Sequence, residues 1–387
     1  MKSEWTKIQV DNLGTIITGK TPTTRKPEYW GGKILFVTPK DLQGTKHISQ
    51  TERHITNAGL ESTRSCELPA NAVCVSCIGN IGYVGMTSQK CMSNQQINSI
   101  VANKTHDPSF IYYLMKSLWS FFKNYEGQST TLSILNKTQF SKIEVSVPQL
   151  TIQKRISGIL SALDDKIELN NKINENLYEM VSAYYSSLFR DSKCEMTTIG
   201  NYAERIYSGG TPSTSNPAYW NGAFGWFSSG ETRNRFVITT EKTITQSGVD
   251  NSSTKLAAKH DIVIASAGQG STRGQTSMLL MDTYVNQSVI VIHAERNILP
   301  YLFWNLANRY EELRAISDSS SIRGSLTTKM IAGLEIPLAN EEMLQAFADF
   351  AWSLIPQIEN CLLENKCLAE LRDLLLPKLM NGEISVL

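Results

Sequence analysis

Three groups of residues have types and spacings that suggest chemistry. Gly14 to Thr21 reads Gly-Thr-Ile-Ile-Thr-Gly-Lys-Thr, a letter-for-letter match to the phosphate-loop pattern G-x-x-x-x-G-K-[ST]. In such a loop backbone N–H groups and a helix N-terminus hold the phosphates. A helix must therefore follow, and Pro22, Pro27 and Gly31-Gly32 forbid one there. A second copy of the segment has Glu204 in place of Gly14 and Gly210 in place of Lys20, so a nucleotide hydrolase is disfavoured. Cys74-x-x-Cys77, with Cys66 and Cys91 nearby, supplies thiols for zinc, but the spacing beyond the pair is not that of a zinc ribbon. The pair lies in an apolar, strand-like run and reads as buried free thiols. His47, His54, His106, His260 and His293 form no H-E-x-x-H cluster, and the chain holds no G-x-S-x-G elbow and no Asn-Pro-Pro-Tyr methyltransferase motif. No catalytic or metal-binding constellation emerges.

Polar loops are abundant instead. They are Thr21 to Lys26, Thr38 to Lys46, Ser76 to Gly82 and Gly127 to Thr131, then Thr211 to Asn216, Ser228 to Arg235, Gly268 to Gln275 and Ser317 to Arg323. Their Arg, Lys, Asn, Gln, Ser and Thr side chains are the kinds that hold phosphates and read base edges. Loop surface is rich in these residues in any protein, so the scaffold that carries them matters.

That scaffold is a duplication. Gly19-Lys-Thr-Pro22 followed by Pro27, Tyr29, Trp30 and Gly32 returns 190 residues later as Gly209-Gly-Thr-Pro212 with Pro217, Tyr219, Trp220 and Gly222. Ala72 to Ser76 parallels Ile262 to Ser266, and Asn94-Gln95 parallels Asn286-Gln287. Two copies are too few for a solenoid and read as tandem globular domains. Short strands are expected at Ile34–Val37, Ala72–Cys77, Ile97–Val101 and Ile143–Val147. A helix is expected at Phe110–Tyr125, matched by Leu302–Leu313. Each copy ends in a heptad pattern: Ile156, Leu163, Asn170, Leu177 and Tyr184, then Phe347, Leu354, Cys361, Leu368 and Leu375. This predicts two long amphipathic helices with coiled-coil spacing, each about 60 Å long. Pro356 predicts a kink or a late start in the second. Asn170 stands in the apolar seam as a register-setting polar residue or faces solvent. The expected fold is α+β: two tandem mixed domains separated by two long helices paired antiparallel, with pseudo-twofold symmetry. The expected boundaries are 1–148, 149–193, 194–337 and 338–387. Antiparallel pairing would place one domain at each end of the rod; helices packed separately on their own domains are the alternative.

The chain has 387 residues, 41% hydrophobic and 19% charged, which excludes a disordered or collagen-like chain. Its opening shows no signal-peptide core, and no apolar run approaches the roughly 18–20 residues of a membrane span. An odd count of seven cysteines points to a reducing cytoplasm. The net charge of +1 hides a gradient. Residues 1–150 carry sixteen Lys and Arg against ten Asp and Glu (+6), whereas 338–387 carry three against eight (−5).

The chain resembles the DNA-specificity subunits of type I restriction–modification enzymes. The resemblance is carried by Ser208-Gly-Gly-Thr-Pro-Ser213 with Tyr219-Trp220 and its echo Thr18-Gly-Lys-Thr-Pro-Thr23 with Tyr29-Trp30. Gln153-Lys-Arg-Ile156, Leu163-Asp-Asp-Lys-Ile167 and Leu371 to Met380 with Gly382-Glu383-Ile384 are similar as well. Departures are Pro356 and Lys20, which replaces the second glycine. The resemblance implies a non-catalytic binding protein. Each domain would be a target-recognition domain reading half of a split, asymmetric site in double-stranded DNA. Half-sites about one helical turn apart lie roughly 34–36 Å centre to centre, within reach of the rod. The helices would set the gap and dock two modification subunits, which carry S-adenosylmethionine and flip out the target adenine. Restriction subunits would use ATP to translocate DNA. No cofactor is expected in this chain.

On that reading the first half-site falls to Lys20, Arg25, Lys26, Lys40, Lys46, Asn80 and Thr130. The second falls to Arg233, Arg235, Gln269, Arg273, Gln275 and Arg323. Thr21-Pro22, Tyr29-Trp30 and their copies are expected to be scaffold, because both copies keep them. A rival reading is an interaction scaffold or carbohydrate-binding repeat protein, with the Tyr-Trp pairs facing sugars.

Overall fold

The computed structural model describes residues 5–44, 46–127, 132–189, 195–268, 270–319 and 324–386. The chain divides into two compact units: residues 1–169 with 365–387, and residues 170–364. Each unit contains one globular domain and a stretch of both long helices.

The first unit is built on two larger sheets and a two-stranded one that pairs Thr6–Gln9 antiparallel with Glu144–Val147. Five strands lie in the order Gly14–Thr18, Ile97–Ala102, Val73–Ser76, Val84–Thr87, His47–Ile48, antiparallel except for the last pair. Four more lie in the order Arg53–Ile55, Trp30–Val37, Cys91–Ser93, Glu67–Leu68. Val73–Ser76 sits in the middle of the larger sheet and is buried along its whole length, which is why it reads as a continuous apolar run without alternation. Cys74 and Cys77 belong to that interior, where burial pushes both thiols up to about 12. The second unit repeats the order with Arg205–Ser208, Val289–His293, Ile262–Ala265, Thr276–Leu279 and Phe236–Val237. Its smaller sheet runs Lys242–Ile244, Trp220–Phe227, Thr283–Val285, Lys255–Ala257. The strands expected at 34–37, 72–77, 97–101 and 143–147 are present within a residue or a few of their predicted ends.

The helix expected at Phe110–Tyr125 is two helices, Pro108–Ser117 and Trp119–Gly127. Its copy likewise splits into Leu299–Ala307 and Tyr310–Ser319. Neither break contains proline or glycine. Polar side chains reach back at both: Ser117 Oγ donates to the Leu114 carbonyl at 2.8 Å and Asn308 Nδ2 to the Trp304 carbonyl at 2.8 Å. Such local bonds compete with the helical ladder.

The long helices are Leu150–Phe189 and Glu341–Met380, forty residues each. The second starts fifteen residues before Pro356, so the proline does not delay it. The carbonyl of neighbouring Ser353 accepts a bond from Gln357 Nε2 at 3.1 Å. Within each unit the two helices run antiparallel. In the first, Arg155 reaches the Val386 carbonyl and Asp164 pairs with Arg372. In the second, Asn170 bonds Glu364, Tyr184 packs on Phe350, and Phe189 packs on Phe347. Asn170 is 1% exposed and donates Nδ2 to Glu364 Oε2 at 2.7 Å. It is a seam residue.

Candidate nucleic-acid interface

The motif kept in both copies is a loop staple. Gly19 and Gly209 pass so close to a neighbouring strand end that a Cβ would lie 2.1 Å from the Asn94 carbonyl oxygen and 2.0 Å from that of Val285. Only glycine fits. The hydroxyl of Thr21 then donates to Gln95 Oε1 at 2.6 Å, and Thr211 donates likewise to Gln287. These bonds explain why Thr-Pro and Asn-Gln are retained together. The indole of Trp30 donates to the Thr23 carbonyl at 3.3 Å and that of Trp220 to the Ser213 carbonyl at 3.1 Å. Each tryptophan also packs edge-on against the strand it opens, Trp30 on Phe36 and Trp220 on Trp226. The motif thus pins the loops 20–29 and 210–219.

The first of the two pinned loops carries exposed cations, and the second carries none. Lys20, Arg25 and Lys26 are exposed, and Lys26 lies over the Tyr29 ring at 5.1 Å. Lys40 is exposed and pairs loosely with Glu52 at 3.5 Å, a surface contact worth little that a phosphate can replace. Asn80 is exposed. In the second unit Arg233 pairs with Glu241 and bonds the Gly230 carbonyl at 2.8 Å. Arg235 stacks 3.6 Å over the Tyr178 ring and bonds Glu175 at 3.2 Å. Gln275 is half-buried. Thr130, Gln269 and Arg323 lie outside the described residues.

Two of the predicted contacts are turned inward. Lys46 is 4% exposed, with Nζ donating to Ser161 Oγ at 2.7 Å and lying 3.3 Å from Ser109 Oγ. Burial lowers its pKa, against the pull of Asp165, Asp164 and Glu168. Arg273 is 7% exposed, its guanidinium shared between Asp318 and the Gly324 carbonyl. A cation whose donors are consumed inside its own unit is not displayed to DNA. Both looked like surface charges because their acceptors are distant in sequence.

Other groups escaped the sequence reading. Arg53 stacks 3.7 Å over Trp30, and Lys242 lies 5.7 Å from the Trp220 ring at the equivalent place. Beside the loop 77–82, Trp119, Phe121, Leu132 and Ile134 are exposed, Leu132 by 64%. Lys123 sits 4.5 Å over Trp119. Exposed rings and apolar tips beside cations suit stacking on bases or wedging between them. The aromatic density of 110–125 was the available signal, masked by the core role of most of its rings. Among the described residues no group of three His, Cys, Asp or Glu is placed to hold a metal ion, and no helix is long and apolar enough to cross a membrane.

Residues 2–179 and 192–363 match the profile of the type I restriction modification DNA specificity domain, once in each half. The chain belongs to this family. Among its curated relatives is the type I restriction enzyme MjaIX specificity subunit of Methanocaldococcus jannaschii, 23% identical over 99% of this chain and 94% of that protein. The HindI specificity subunit of Haemophilus influenzae is 33% identical over 44% of this chain and 39% of its own length. The crystal structure of the S subunit of a type I restriction–modification system from M. genitalium has the same fold. It has a TM-score of 0.60 at 18% identity and covers 97% of this chain and 96% of that one. The paired sheets and split helices described above are thus the architecture of a specificity-family member, present twice.

Proposed function

We propose that the chain is the DNA-specificity subunit of a type I restriction–modification complex, with each globular domain reading one half of a split, asymmetric DNA sequence. Residues 1–148 and 194–337 are the two target-recognition domains in this reading, and 149–193 and 338–387 the helical spacers. The carrying observation is the contrast between retained staple and diverged loops. Both copies keep Gly, Thr, Trp and Gln in the same bonds, while the residues displayed on the stapled loops differ: Lys20, Arg25 and Lys26 against Gly210, Ser215 and Asn216. Two readers of different targets require that pattern.

The chain itself supplies recognition and no bond-making step. Lys20, Arg25, Lys26 and Lys40 contribute phosphate contacts that fix position, and Asn80 with the residues of loops 77–82 and 268–275 contribute base contacts. Lys46 and Arg273 leave that set. The long helices space the half-sites and dock two modification subunits, which bring S-adenosylmethionine and the flipped-out adenine. Restriction subunits add ATP-driven translocation. The complex works in the cytoplasm. The carbohydrate alternative, which rests on the Tyr-Trp pairs, is disfavoured by Trp30, which is bonded to its own loop and covered by Arg53.

The test is to express the full chain with its modification subunit and map methylated adenines across a genome lacking other such systems. A split motif with two specified halves is expected. Exchanging 1–148 for the corresponding domain of a relative should change one half only. Absence of any sequence-dependent methylation or binding overturns the proposal.

A further inference from the structure

The second unit holds two loops together by means that the first unit does not use. These loops, 266–275 and 317–326, carry the candidate Gln275 and, outside the described residues, Gln269 and Arg323. Asp318, at the end of the helix Tyr310–Ser319, pairs with Arg273, and its other carboxylate oxygen lies 3.6 Å from Arg314 Nε. Each arginine then crosses to the opposite loop. Arg273 stands in the first loop and donates Nη1 to the Gly324 carbonyl of the second at 2.6 Å. Arg314 stands on the helix leading into the second loop and donates Nη1 to the Gly270 carbonyl of the first at 2.6 Å. The Tyr310 hydroxyl adds a bond to the Ser271 carbonyl at 2.7 Å. Gly324 is left-handed, with φ of 61°, and a Cβ there would lie 2.5 Å from Arg273 Nη1. A side chain at 324 would be strained at that φ and would displace the arginine tip, so glycine suits the tie.

The equivalent place in the first unit keeps one of the three charges, Lys123, and that one pairs with Glu126 on its own helix at 2.6 Å and does not cross between loops. Gly82 bonds back to Ser76 and Gly274 to Ala265, which puts Ile81 at the position of Arg273. Lys123 and Gly127 stand where Arg314 and Asp318 stand, 191 residues earlier. There the loops are joined by the Gly79 N–H on the Ser133 carbonyl at 3.1 Å and by a bridge between Ile78 and Ile134. The closing bond spans six residues in the first unit, Ser76 to Gly82, and nine in the second, Ala265 to Gly274. A longer loop has more conformations to lose when it is ordered. Backbone bonds suffice for the short loop; the long one has a largely buried arginine and two carbonyl anchors.

We infer that the Arg273–Asp318–Arg314 tie positions the reading loops of the second domain and so sets specificity at the second half-site alone. The three residues touch no base. They fix the distance at which two loops present theirs. This rests on the recognition role proposed above and goes further, because it assigns the second half-site's selectivity to a contact remote from DNA.

The experiment uses the full chain with its modification subunit and a duplex library randomised at both half-sites, scoring methylation at each position. Asp318→Asn should reduce discrimination at the second half-site about tenfold, the scale of one misplaced base contact, with the first half-site unchanged. Asp318→Glu, which keeps the charge, should retain most of it. Arg314→Met, at a less buried position, should give a smaller loss confined to the same half and covers the possibility that Asp318→Asn misfolds. The inference is overturned if Asp318→Asn and Arg314→Met both read the second half-site as wild type does. It is equally overturned if they weaken both half-sites alike. A wild-type complex with no preference at either half would instead remove the recognition role itself, and this inference with it.

Discussion

Where the first unit packs a half-buried Arg372 against buried Tyr113 and Asp164, the second has Trp304, Ile355 and Val181 at the corresponding positions, 191 residues away in each pair. In the first, the Tyr113 hydroxyl donates to Asp164 Oδ2 at 2.6 Å, and Arg372 Nη1 donates to Asp164 Oδ1 at 2.7 Å. Burial opposes the charge on Arg372, but its bonds to Asp164 and Asp373 outweigh that, and its pKa is raised. In the second, Trp304, Ile355 and Val181 are 0–1% exposed members of one apolar cluster with Tyr178, Tyr185, Phe189 and Phe347. At this one place the junction of domain and long helices therefore holds an ion pair set beside an apolar cluster in one unit and apolar side chains in the other. The two respond to truncation through different terms. Desolvating an ion pair cancels much of its attraction, yet removing one partner leaves the other short of its compensation, whereas truncating an apolar side chain costs its lost burial plus the cavity left behind.

Four variants break or sharpen that comparison. The largest effect is expected from Ile355→Asp, which imports half of the first unit's ion pair into an apolar cluster. It should cost about 4–5 kcal/mol or more, seen as loss of the second unit's unfolding transition or as insolubility. Asp164→Ala leaves the buried Tyr113 hydroxyl without its acceptor and Arg372 with Asp373 alone, and should cost about 2–3 kcal/mol in denaturant unfolding. The triple change Tyr113→Phe, Asp164→Ile, Arg372→Val rebuilds the first junction on the second's pattern. It should fall within about 1–2 kcal/mol of wild type, in either direction; a cost as large as that of Asp164→Ala would show that the ionic junction is intrinsically the stronger. The smallest is Asn170→Ala, which removes one buried donor bonded to an exposed Glu364 and should cost about 1 kcal/mol.

The loops repeat the lesson on a smaller scale. Lys46 and Arg235 occupy matching places, each one residue before the strand that edges its larger sheet. Lys46 is drawn inside by Ser109 and Ser161, while Arg235 lies half-exposed on Tyr178. Nothing local distinguishes them. Their surroundings are supplied by residues more than fifty positions away.

Periodicity and self-similarity made much of the fold legible. Heptads spanning thirty residues required long helices, since no other backbone keeps a seven-residue stripe on one side. Offsets near 190 that preserve Trp, Pro and Gly required a repeated domain, and the close approaches at Gly19 and Gly209 show why those glycines tolerate no replacement. The helix break at Leu118 was not legible, because it depends on Ser117 reaching back to a carbonyl. The burial of Lys46 and Arg273 was not legible either, because a charged side chain on a polar stretch is exposed unless a distant acceptor takes it in.

Order of elements, the doubling and the helical seams were thus determined by the sequence itself, since backbone preference and apolar period act over a few neighbouring residues. Which charges face outward and which lie inside was decided only by tertiary structure. A lysine or arginine leaves water only where Ser161, Asp318 or a turned carbonyl replaces its lost hydration, and the chain must be folded before those groups stand beside it.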